Sequence, residues 1–449
     1  MRSTPVLLTL CTVLSVGCGD TPSAAEGGTQ PGTGSASAPT GGDDGGDDGL
    51  DSEGSSGGSS GGSAEGSADA SGGETTPAPD DFPTDGFLGG LFPVGVFSQP
   101  TWALETWADV GCNTMISVPQ GDDISQWDAE AQRLGLSVIR RPLGSPQQDE
   151  GRDDLLAWML VDEPDVDANN APCGGNCVEL IESLSSQWRA VDPNRPILVN
   201  VAGPNVLLSS GCDYCNGPGD EPPQQGCFPD NDQCYPRIIE TSDWISQDIY
   251  PTTGWLPTET LRDDITTVGA AMDRIRDWTD KPLFAIIEIS DQRLGFEGTG
   301  ARGPTPAEYR AQLWHAIIHG ARGIFYFPQA FNPFSYANVE PEMLDALLVQ
   351  HELLDTLGPL LQAEINPDAV DVQVDAPLEV TWRLTENNAW IFVLNTVDGL
   401  GNGQIEISGV GDAEVDVFDE ARTVNVEGGS ITDEFEPHAL HIYVVPRAG

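Results

Sequence analysis

Residues 155–164 read LLAWMLVDEP, an apolar run that ends abruptly in two carboxylates and a proline. A run of this composition is typical of a strand covered on both faces, as in a parallel sheet packed between helices. Residues 282–290 read PLFAIIEIS and carry one acid, Glu288, among hydrophobic side chains. Burying a lone charge is costly, so an acid in such a place is neutral, paired or functional. These two segments indicate both the fold class and the candidate site.

Similar apolar runs recur along the chain and alternate with amphipathic stretches. The predicted strands are Pro93–Phe97, Thr114–Val118, Ser137–Arg140, Ala157–Asp162, Ile197–Val201, Trp244–Ile249, Leu283–Ile289 and Gly323–Phe327. Helical periodicity lies between them, as in Ile124–Leu134, Val178–Val191, Leu261–Trp278 and Pro306–His319. This rhythm predicts an α/β fold, a (β/α)8 TIM barrel over residues 82–362. A doubly wound open sheet is the alternative, but no glycine-rich phosphate loop follows the first strand.

The pattern of apolar and polar residues changes again beyond Pro359, where helical periodicity is absent. We interpret residues 363–449 as a small antiparallel β-sandwich packed on the barrel. Its predicted strands are Val370–Val374, Leu378–Leu384, Ala389–Asn395, Gly403–Ile407, Glu414–Phe418 and Leu440–Val445.

The first 81 residues are predicted to direct and tether the chain. Arg2, the apolar stretch Pro5–Val16 and the pair Gly17-Cys18 resemble a bacterial lipoprotein signal, so residues 1–17 are the signal peptide and Cys18 is the lipidated residue. The pattern departs at Ser15, where such signals prefer Leu, and simple secretion is the alternative. Residues 18–81 are rich in Gly, Ser and Asp, lack Lys and Arg, and predict a disordered linker.

The predicted location follows from that signal. No later segment is long and apolar enough to span a bilayer, so we expect membrane attachment through the lipid anchor only, at the cell envelope or cell surface. The formal net charge is −52, with 71 acidic against 19 basic residues. Such a surface repels phosphate backbones and excludes nucleic acid as a partner. No cofactor is expected, and the sequence leaves the oligomeric state open.

The cysteines fall into distinct groups. Cys112 precedes the second strand in an apolar setting and is expected to be a buried free thiol. An exported protein meets an oxidising compartment, so three disulfides of unassigned pairing are expected in the segments after strands four and five. Zinc is the alternative, because Cys212 and Cys215 have ligand spacing. The six cysteines are Cys173, Cys177, Cys212, Cys215, Cys227 and Cys234.

Strand alternation predicts which polar side chains share a face with the two glutamates. On strand four, Ala157, Met159, Val161 and Glu163 share one face, and on strand seven Phe284, Ile286 and Glu288 do. On strand six, Ser246, Asp248 and Tyr250 form a polar row. If these faces point inward, Glu163, Glu288, Asp248 and Tyr250 converge at the carboxyl-end mouth, where barrels place their active sites.

A glutamate ending strand four and another ending strand seven resemble the retaining (β/α)8 glycoside hydrolases of the clan A type. The resemblance covers the barrel, and the segment 313–327, which includes LWHA and HGARGIFYF, resembles the last helix and strand of those enzymes. It implies that Glu163 is the acid/base, Glu288 is the nucleophile and Tyr250 contacts the nucleophile. Carboxyl groups about 5 Å apart then predict retention, on an extracellular or envelope polysaccharide.

One position departs from this family. Asp162 stands where the clan usually has Asn, and an ionised aspartate cannot donate a hydrogen bond to the sugar. We expect Asp162, Asp248 and Tyr250 to bind substrate, and Arg140 to bind substrate or to pair with Glu288. The alternative function is a non-catalytic cell-surface barrel that binds glycan or protein.

Weaker candidates complete the set. His315 and His319 have metal-ligand spacing but lie on the helix before strand eight, so no metal role is expected. Asp165, Asp167 and Asn169 alternate like part of a calcium loop, although a solvated acidic loop is the favoured interpretation. Trp102, Trp127 and Trp255 lie on or near loops; each stacks on a sugar ring or, as favoured, serves ordinary packing.

Overall fold

The structure, a computed structural model, describes residues 82–166, 177–209, 234–253, 261–293, 302–364 and 371–447. Eight parallel strands form a closed barrel in sequence order, and β1 pairs with β8 to close it. The strands are Val94–Phe97 (β1), Thr114–Ile116 (β2), Ser137–Arg140 (β3), Leu155–Met159 (β4), Ile197–Ala202 (β5), Trp244–Asp248 (β6), Leu283–Glu288 (β7) and Ala321–Phe327 (β8). The predicted (β/α)8 barrel is therefore confirmed.

Helices surround this barrel and begin where local sequence caps them. Asp123 caps α2 by accepting from the amides of Ser125 and Gln126, and Thr305 and Glu308 form a capping box at α7. The helices of the described residues are Leu104–Asp109 (α1), Ile124–Arg133 (α2), Cys177–Arg189 (α3), Gly203–Leu207 (α4), Tyr235–Glu240 (α5), Thr267–Arg276 (α6), Pro306–Ile318 (α7) and Pro341–Leu361 (α8).

The barrel strands alternate between two apolar cores. One core contains Phe97, Ile116, Met159, Phe284 and Phe325, contributed by alternating positions of five strands. The residues between them in sequence belong to the larger core that includes the helices. Alternation of this kind assigns the first set to the barrel interior and the second to the layer between sheet and helices. The faces whose inward direction the sequence left open do point inward at Met159 on β4, at Phe284 on β7 and at Tyr250 just beyond β6.

The C-terminal part forms two antiparallel sheets, ordered β11-β14-β17 and β12-β13-β18-β15-β16, around their own apolar core. Two strands of this part, Arg422–Val426 and Ser430–Phe435, were not predicted, because their outward positions are largely polar. A short hairpin follows the barrel first, Ala330–Phe331 (β9) and Phe334–Ser335 (β10). The remaining strands are Val372–Val374 (β11), Leu378–Leu384 (β12), Asn388–Asn395 (β13), Gly401–Ile407 (β14), Ala413–Val417 (β15), Arg422–Val426 (β16), Ser430–Phe435 (β17) and Leu440–Pro446 (β18).

The barrel and the C-terminal sheets belong to one compact unit. Trp314 of α7 stacks on Phe392 of β13 with ring centroids 5.7 Å apart. Phe82 packs edge-on against Trp390 of the same strand at 5.1 Å. Aromatic contacts of this size bury much apolar surface, so the sheets contribute to the stability of the barrel. Among the described residues, no helix combines the length and apolar character needed to cross a membrane.

Candidate active site

Three neighbouring strands bring polar side chains together at the carboxyl end of the barrel. Asn200 on β5 donates its amide to Asp162 Oδ1 at 3.0 Å, just beyond β4. Ser246 on β6 donates to Asn200 Oδ1 at 2.8 Å. Asn200 and Ser246 are buried, whereas Asp162 is half-buried. This chain of hydrogen bonds orients the Asp162 carboxylate at the mouth, the usual active-site face of such barrels.

Glu163 owes its position to an unusual backbone conformation. Strand β4 ends at Met159, so Glu163 follows a short turn rather than the strand alternation that predicted its face. Its φ is 43°, in the left-handed region that residues with a Cβ rarely adopt. The backbone is held there because Glu163 N–H donates to Asn200 O at 3.1 Å and Val166 N–H donates to Glu163 O at 3.0 Å. Strain of this kind, about 1–3 kcal/mol, is concentrated at functional sites.

Asp248 lies beside Glu163, and both side chains are half-buried. Glu163 hydrogen-bonds the carboxyl of Asp248, and Tyr250 Oη donates to Asp248 Oδ2 at 3.2 Å. Burial, reinforced by the negative charges of Asp162 and Asp165, raises the pKa of Asp248 to about 8. Two carboxyl groups can hydrogen-bond each other only if one carries a proton. The Glu163–Asp248 pair therefore holds at least one proton at neutral pH.

Asp162 and Asp165 complete the acidic cluster, with different surroundings. Burial raises the pKa of Asp162 to about 6, against the hydrogen bond from Asn200, so it is ionised at neutral pH. Asp165 is buried and accepts from Ala202 N–H at 3.1 Å and from Tyr235 Oη at 2.9 Å. Burial also raises its pKa to about 6. The favoured interpretation of Asp165 as part of a solvated loop is wrong. Asp167 and Asn169, the other calcium candidates, lie outside the described residues.

Glu288 lies on the same face of β7 as Phe284 and Ile286, which belong to the interior core. It ends β7 and has 0% exposure. Its Oε1 accepts from Thr252 N–H at 2.7 Å and from Gln312 Nε2 at 3.0 Å, and its Oε2 accepts from Thr253 N–H at 2.9 Å. Burial raises its pKa to about 7 despite those donors. The donors belong to the loop after β6 and to α7, so Glu288 is enclosed by these elements. That it lines the mouth together with Glu163 stays a prediction.

Arg140 is also placed differently from the prediction. It has 0% exposure and forms paired hydrogen bonds to Asp128 of α2, at 2.7 and 2.5 Å, and to Asp149, at 3.0 and 2.8 Å. Its neighbours in β3 alternate so that Ile139 belongs to the interior core. Arg140 therefore faces the helix layer. Its guanidinium is fully engaged there, and the expectation that it binds substrate or pairs with Glu288 is wrong.

The histidine pair lies at the junction with the C-terminal sheets. Nε2 of His315 and Nε2 of His319 both lie 2.8 Å from Glu379 Oε2 on β12. These three possible metal-ligand atoms lie within 4.8 Å of one another. However, Nδ1 of His315 accepts a hydrogen bond from Gly269 N–H. The proton of the neutral imidazole is therefore on Nε2, which cannot then bind a metal. Burial lowers the pKa of His319, but hydrogen bonds to Asp273 and Glu379 outweigh it and raise the pKa to about 9. The cluster is a salt bridge in which His319 pairs with Asp273 and Glu379.

The remaining candidates are the tryptophans and the cysteines, which differ in burial. Trp127 is fully buried and donates Nε1–H to Gln99 O, whereas Trp102 is 75% exposed. Cys112 is a buried free cysteine, as expected. Cys177 and Cys234 are both buried. The complete set of three disulfides stays a prediction, since the other four cysteines and Trp255 lie outside the described residues.

Asn200 is the site residue that sequence reasoning missed. It is the one amide inside the apolar run of β5, and a buried amide in a strand needs partners. That signal, an isolated polar residue at an inward position, was the same one that marked Glu288. In β5 the same signal points to Asn200.

Comparison with known proteins identifies the architecture but no family. No family model matches the chain, and no curated protein sequence matches it. Among solved structures, a catalytic mutant of the GH42 beta-galactosidase Gan42B from G. stearothermophilus superposes with a TM-score of 0.52 at 10% identity, covering 80% of this chain and 98% of that one. An acarbose complex of an alpha-amylase from Geobacillus thermoleovorans gives a TM-score of 0.50 at 10% identity, with the same coverage. The similarity to these TIM-barrel glycoside hydrolases establishes the fold.

Proposed function

We propose that this chain is a glycoside hydrolase whose chemistry is performed by the carboxyl cluster Asp162, Glu163 and Asp248. The observation that carries this proposal is the half-exposed Glu163–Asp248 pair, which shares a proton at the mouth of the barrel. Glycosidic hydrolysis needs one protonated and one ionised carboxyl group near the scissile bond. The shared proton and the ionised Asp162 supply both, and the structural neighbours named above are themselves glycoside hydrolases.

The proposed reaction assigns a separate task to each group. Glu163, supported by Asp248, transfers its proton to the glycosidic oxygen as the bond from that oxygen to the anomeric carbon breaks. Water attacks the anomeric carbon and passes its proton to ionised Asp162. The products are a free reducing end and an alcohol; Asp162 then releases its proton to solvent and Glu163 regains one from solvent. Asn200 keeps Asp162 oriented, since it hydrogen-bonds that carboxylate directly.

Resemblance gives the nucleophile's role to Glu288 instead. An enclosed carboxylate can attack a sugar only after the segment Pro251–Thr253 has moved away from it. Retention of configuration would then follow, whereas the Asp162 assignment inverts the anomeric centre. Product stereochemistry, followed by NMR during hydrolysis, separates the two mechanisms.

The test is hydrolysis of a panel of aryl glycosides and soluble polysaccharides by the full chain. We expect Glu163→Gln and Asp248→Asn each to lower kcat by about 100-fold or more, because proton transfer is lost. Asp416→Asn is the matched control, since Asp416 is an exposed carboxylate on β15 of the C-terminal sheets. Wild-type rates in both mouth variants would refute the assignment. Loss of activity in Glu288→Gln alone would move the chemistry to Glu288.

A non-catalytic glycan- or protein-binding barrel is the second candidate. It is favoured by one observation, the full enclosure of Glu288, which leaves the carboxyl group of the second glutamate of the resembling enzymes without exposed surface. Glycan-array binding without release of reducing ends supports this candidate. Release of reducing ends by wild type, and not by Glu163→Gln, excludes it.

We propose export and lipid attachment as well, on the signal that ends at Cys18. Two acyl chains on this cysteine suffice for stable anchoring. Metabolic labelling with a radioactive fatty acid should label wild type and not Cys18→Ser, which should move to the soluble fraction. Equal labelling of both forms would contradict the proposal.

A further inference from the structure

We propose that Trp102, Phe334 and Tyr336 form a binding platform for the sugar rings of an extended, uncharged glycan. This inference rests on the proposed function and names the class of substrate, an oligo- or polysaccharide rather than a single sugar. Trp102 lies in the 3-10 turn Thr101–Ala103 after β1, and the other two lie in and beside the β9–β10 hairpin after β8. Both segments leave the carboxyl end of the barrel, on adjacent strands.

The three rings form one exposed aromatic surface. Trp102 is 75% exposed and Phe334 is 46% exposed. Tyr336 lies between them, edge-on to Trp102 at 6.4 Å and edge-on to Phe334 at 4.9 Å. Large rings left in water beside one another are a feature of binding surfaces. Flat aromatic faces match the apolar C–H face of a pyranose, with its hydroxyl groups left in water.

The surface is held rigid from below. Gln99 is fully buried and donates to Tyr336 O at 2.9 Å, which joins the β1 segment to the β8 segment. Its Oε1 accepts from Trp107 Nε1 at 2.9 Å. Thr101 donates its amide and hydroxyl groups to Asp122 Oδ2, at 2.8 and 3.0 Å. Since the loops are fixed before a ligand arrives, little ordering entropy opposes binding.

Position in the barrel indicates the length of the ligand. The carboxyl cluster lies at the ends of β4, β5 and β6, whereas β1 and β8 lie on the other side of the ring of eight strands. A glycan that contacts both has to cross the mouth. Tyr250 and Phe327 line part of this path, stacked at 5.6 Å, with Phe331 stacked on Phe327 at 6.0 Å. Because the two groups lie on opposite sides of the ring of strands, we expect a single sugar bound at the cluster not to contact Trp102.

Charge indicates the chemical class. The chain carries a net charge of −52, and the mouth cluster consists of carboxyl groups. An anionic polysaccharide is repelled by both, so a neutral one is favoured. We therefore expect Trp102 to matter for long neutral substrates and to be silent for short ones.

Affinity electrophoresis of the full chain in soluble β-galactan, xylan, mannan and starch measures binding without turnover. We expect retardation by at least one of these, with Trp102→Ala and Phe334→Ala weakening the apparent Kd about tenfold or more. Leu400→Ala is the matched control, because Leu400 is 77% exposed in the C-terminal sheets and should leave binding unchanged. Unfolding temperatures verify that each variant is folded. Equal retardation of wild type and Trp102→Ala, or no retardation of wild type, would overturn the proposal.

Kinetics then separate this inference from the proposed function. If the chain hydrolyses glycans, Trp102→Ala should raise KM for the polysaccharide and leave kcat/KM for an aryl monoglycoside unchanged. A loss on both substrates would place Trp102 within the reaction site and overturn the platform. If no glycan is hydrolysed, the electrophoresis still decides whether the platform binds, so failure of one proposal is distinguishable from failure of the other.

Discussion

Replacing Glu288 with Gln should change how the stability of the protein depends on pH. Glu288 is fully enclosed, and burial raises its pKa from 4.5 to about 7. A tenfold change in an ionisation constant corresponds to about 1.4 kcal/mol, so ionised Glu288 costs the folded state about 3 kcal/mol relative to the protonated form. The glutamine side chain has almost the same shape and does not ionise.

The sign follows from the direction of the shift. Because the folded-state pKa is the higher one, the stability that Glu288 contributes is fully present below pH 4.5 and is lost as pH rises through about 7. Above pH 8 the loss is complete. Glu288→Gln removes this dependence and adds a pH-independent cost of about 1 kcal/mol, since the glutamine NH2 faces an amide donor.

Urea unfolding at intervals from pH 5 to pH 9 measures the effect. The stability of wild type minus that of Glu288→Gln should fall by about 3 kcal/mol between pH 5 and pH 8. Other groups that titrate in this range are common to both proteins and cancel in the difference. Glu308→Gln is the matched control: hydrogen bonds from Arg302 and Thr305 outweigh burial and lower the pKa of Glu308, so its difference should be constant over this range. A constant difference for Glu288→Gln as well would refute the reasoning.

Three further outcomes are expected. Arg140→Met should lower the free energy of unfolding by about 3–5 kcal/mol in urea unfolding, because Asp128 and Asp149 lose their buried partner. Arg133→Met, which breaks an exposed ion pair, should leave it nearly unchanged. His319→Gln should be less stable than wild type by up to about 3 kcal/mol below pH 6.5, where the stabilisation from the raised pKa of His319 is fully present. This difference in stability should shrink as pH rises through about 9. A difference that stays unchanged up to about pH 10 in urea unfolding would contradict the salt bridge. If the proposed function holds, kcat should be bell-shaped, rising near pH 6 as Asp162 ionises and falling near pH 8 as the Glu163–Asp248 pair loses its proton, and a flat profile would count against these roles.

The sequence alone was sufficient for the barrel, because covered parallel strands and amphipathic helices impose different periodicities on the chain. It also predicted that Glu163, Asp248 and Tyr250 lie close together, since polar residues at the ends of apolar strands meet at one end of a parallel barrel. The two missed strands β16 and β17 carry weaker patterns. β16 pairs with β15, the strand just before it, and β17 pairs with β14 of the other sheet, so pairing rather than a strong apolar pattern defines both strands.

Only the tertiary structure decided what each charged side chain faces. The sequence treats Glu163 and Glu288 alike, as acids at strand ends. In the fold, Glu163 has a left-handed backbone conformation and its side chain hydrogen-bonds Asp248. Glu288 instead accepts hydrogen bonds from Thr252, Thr253 and Gln312, which enclose it. Alternation along one strand specifies spacing, but whether a carboxyl group meets solvent, another acid or an amide depends on loops and helices distant in sequence. That local environment sets its pKa, and with it its chemistry.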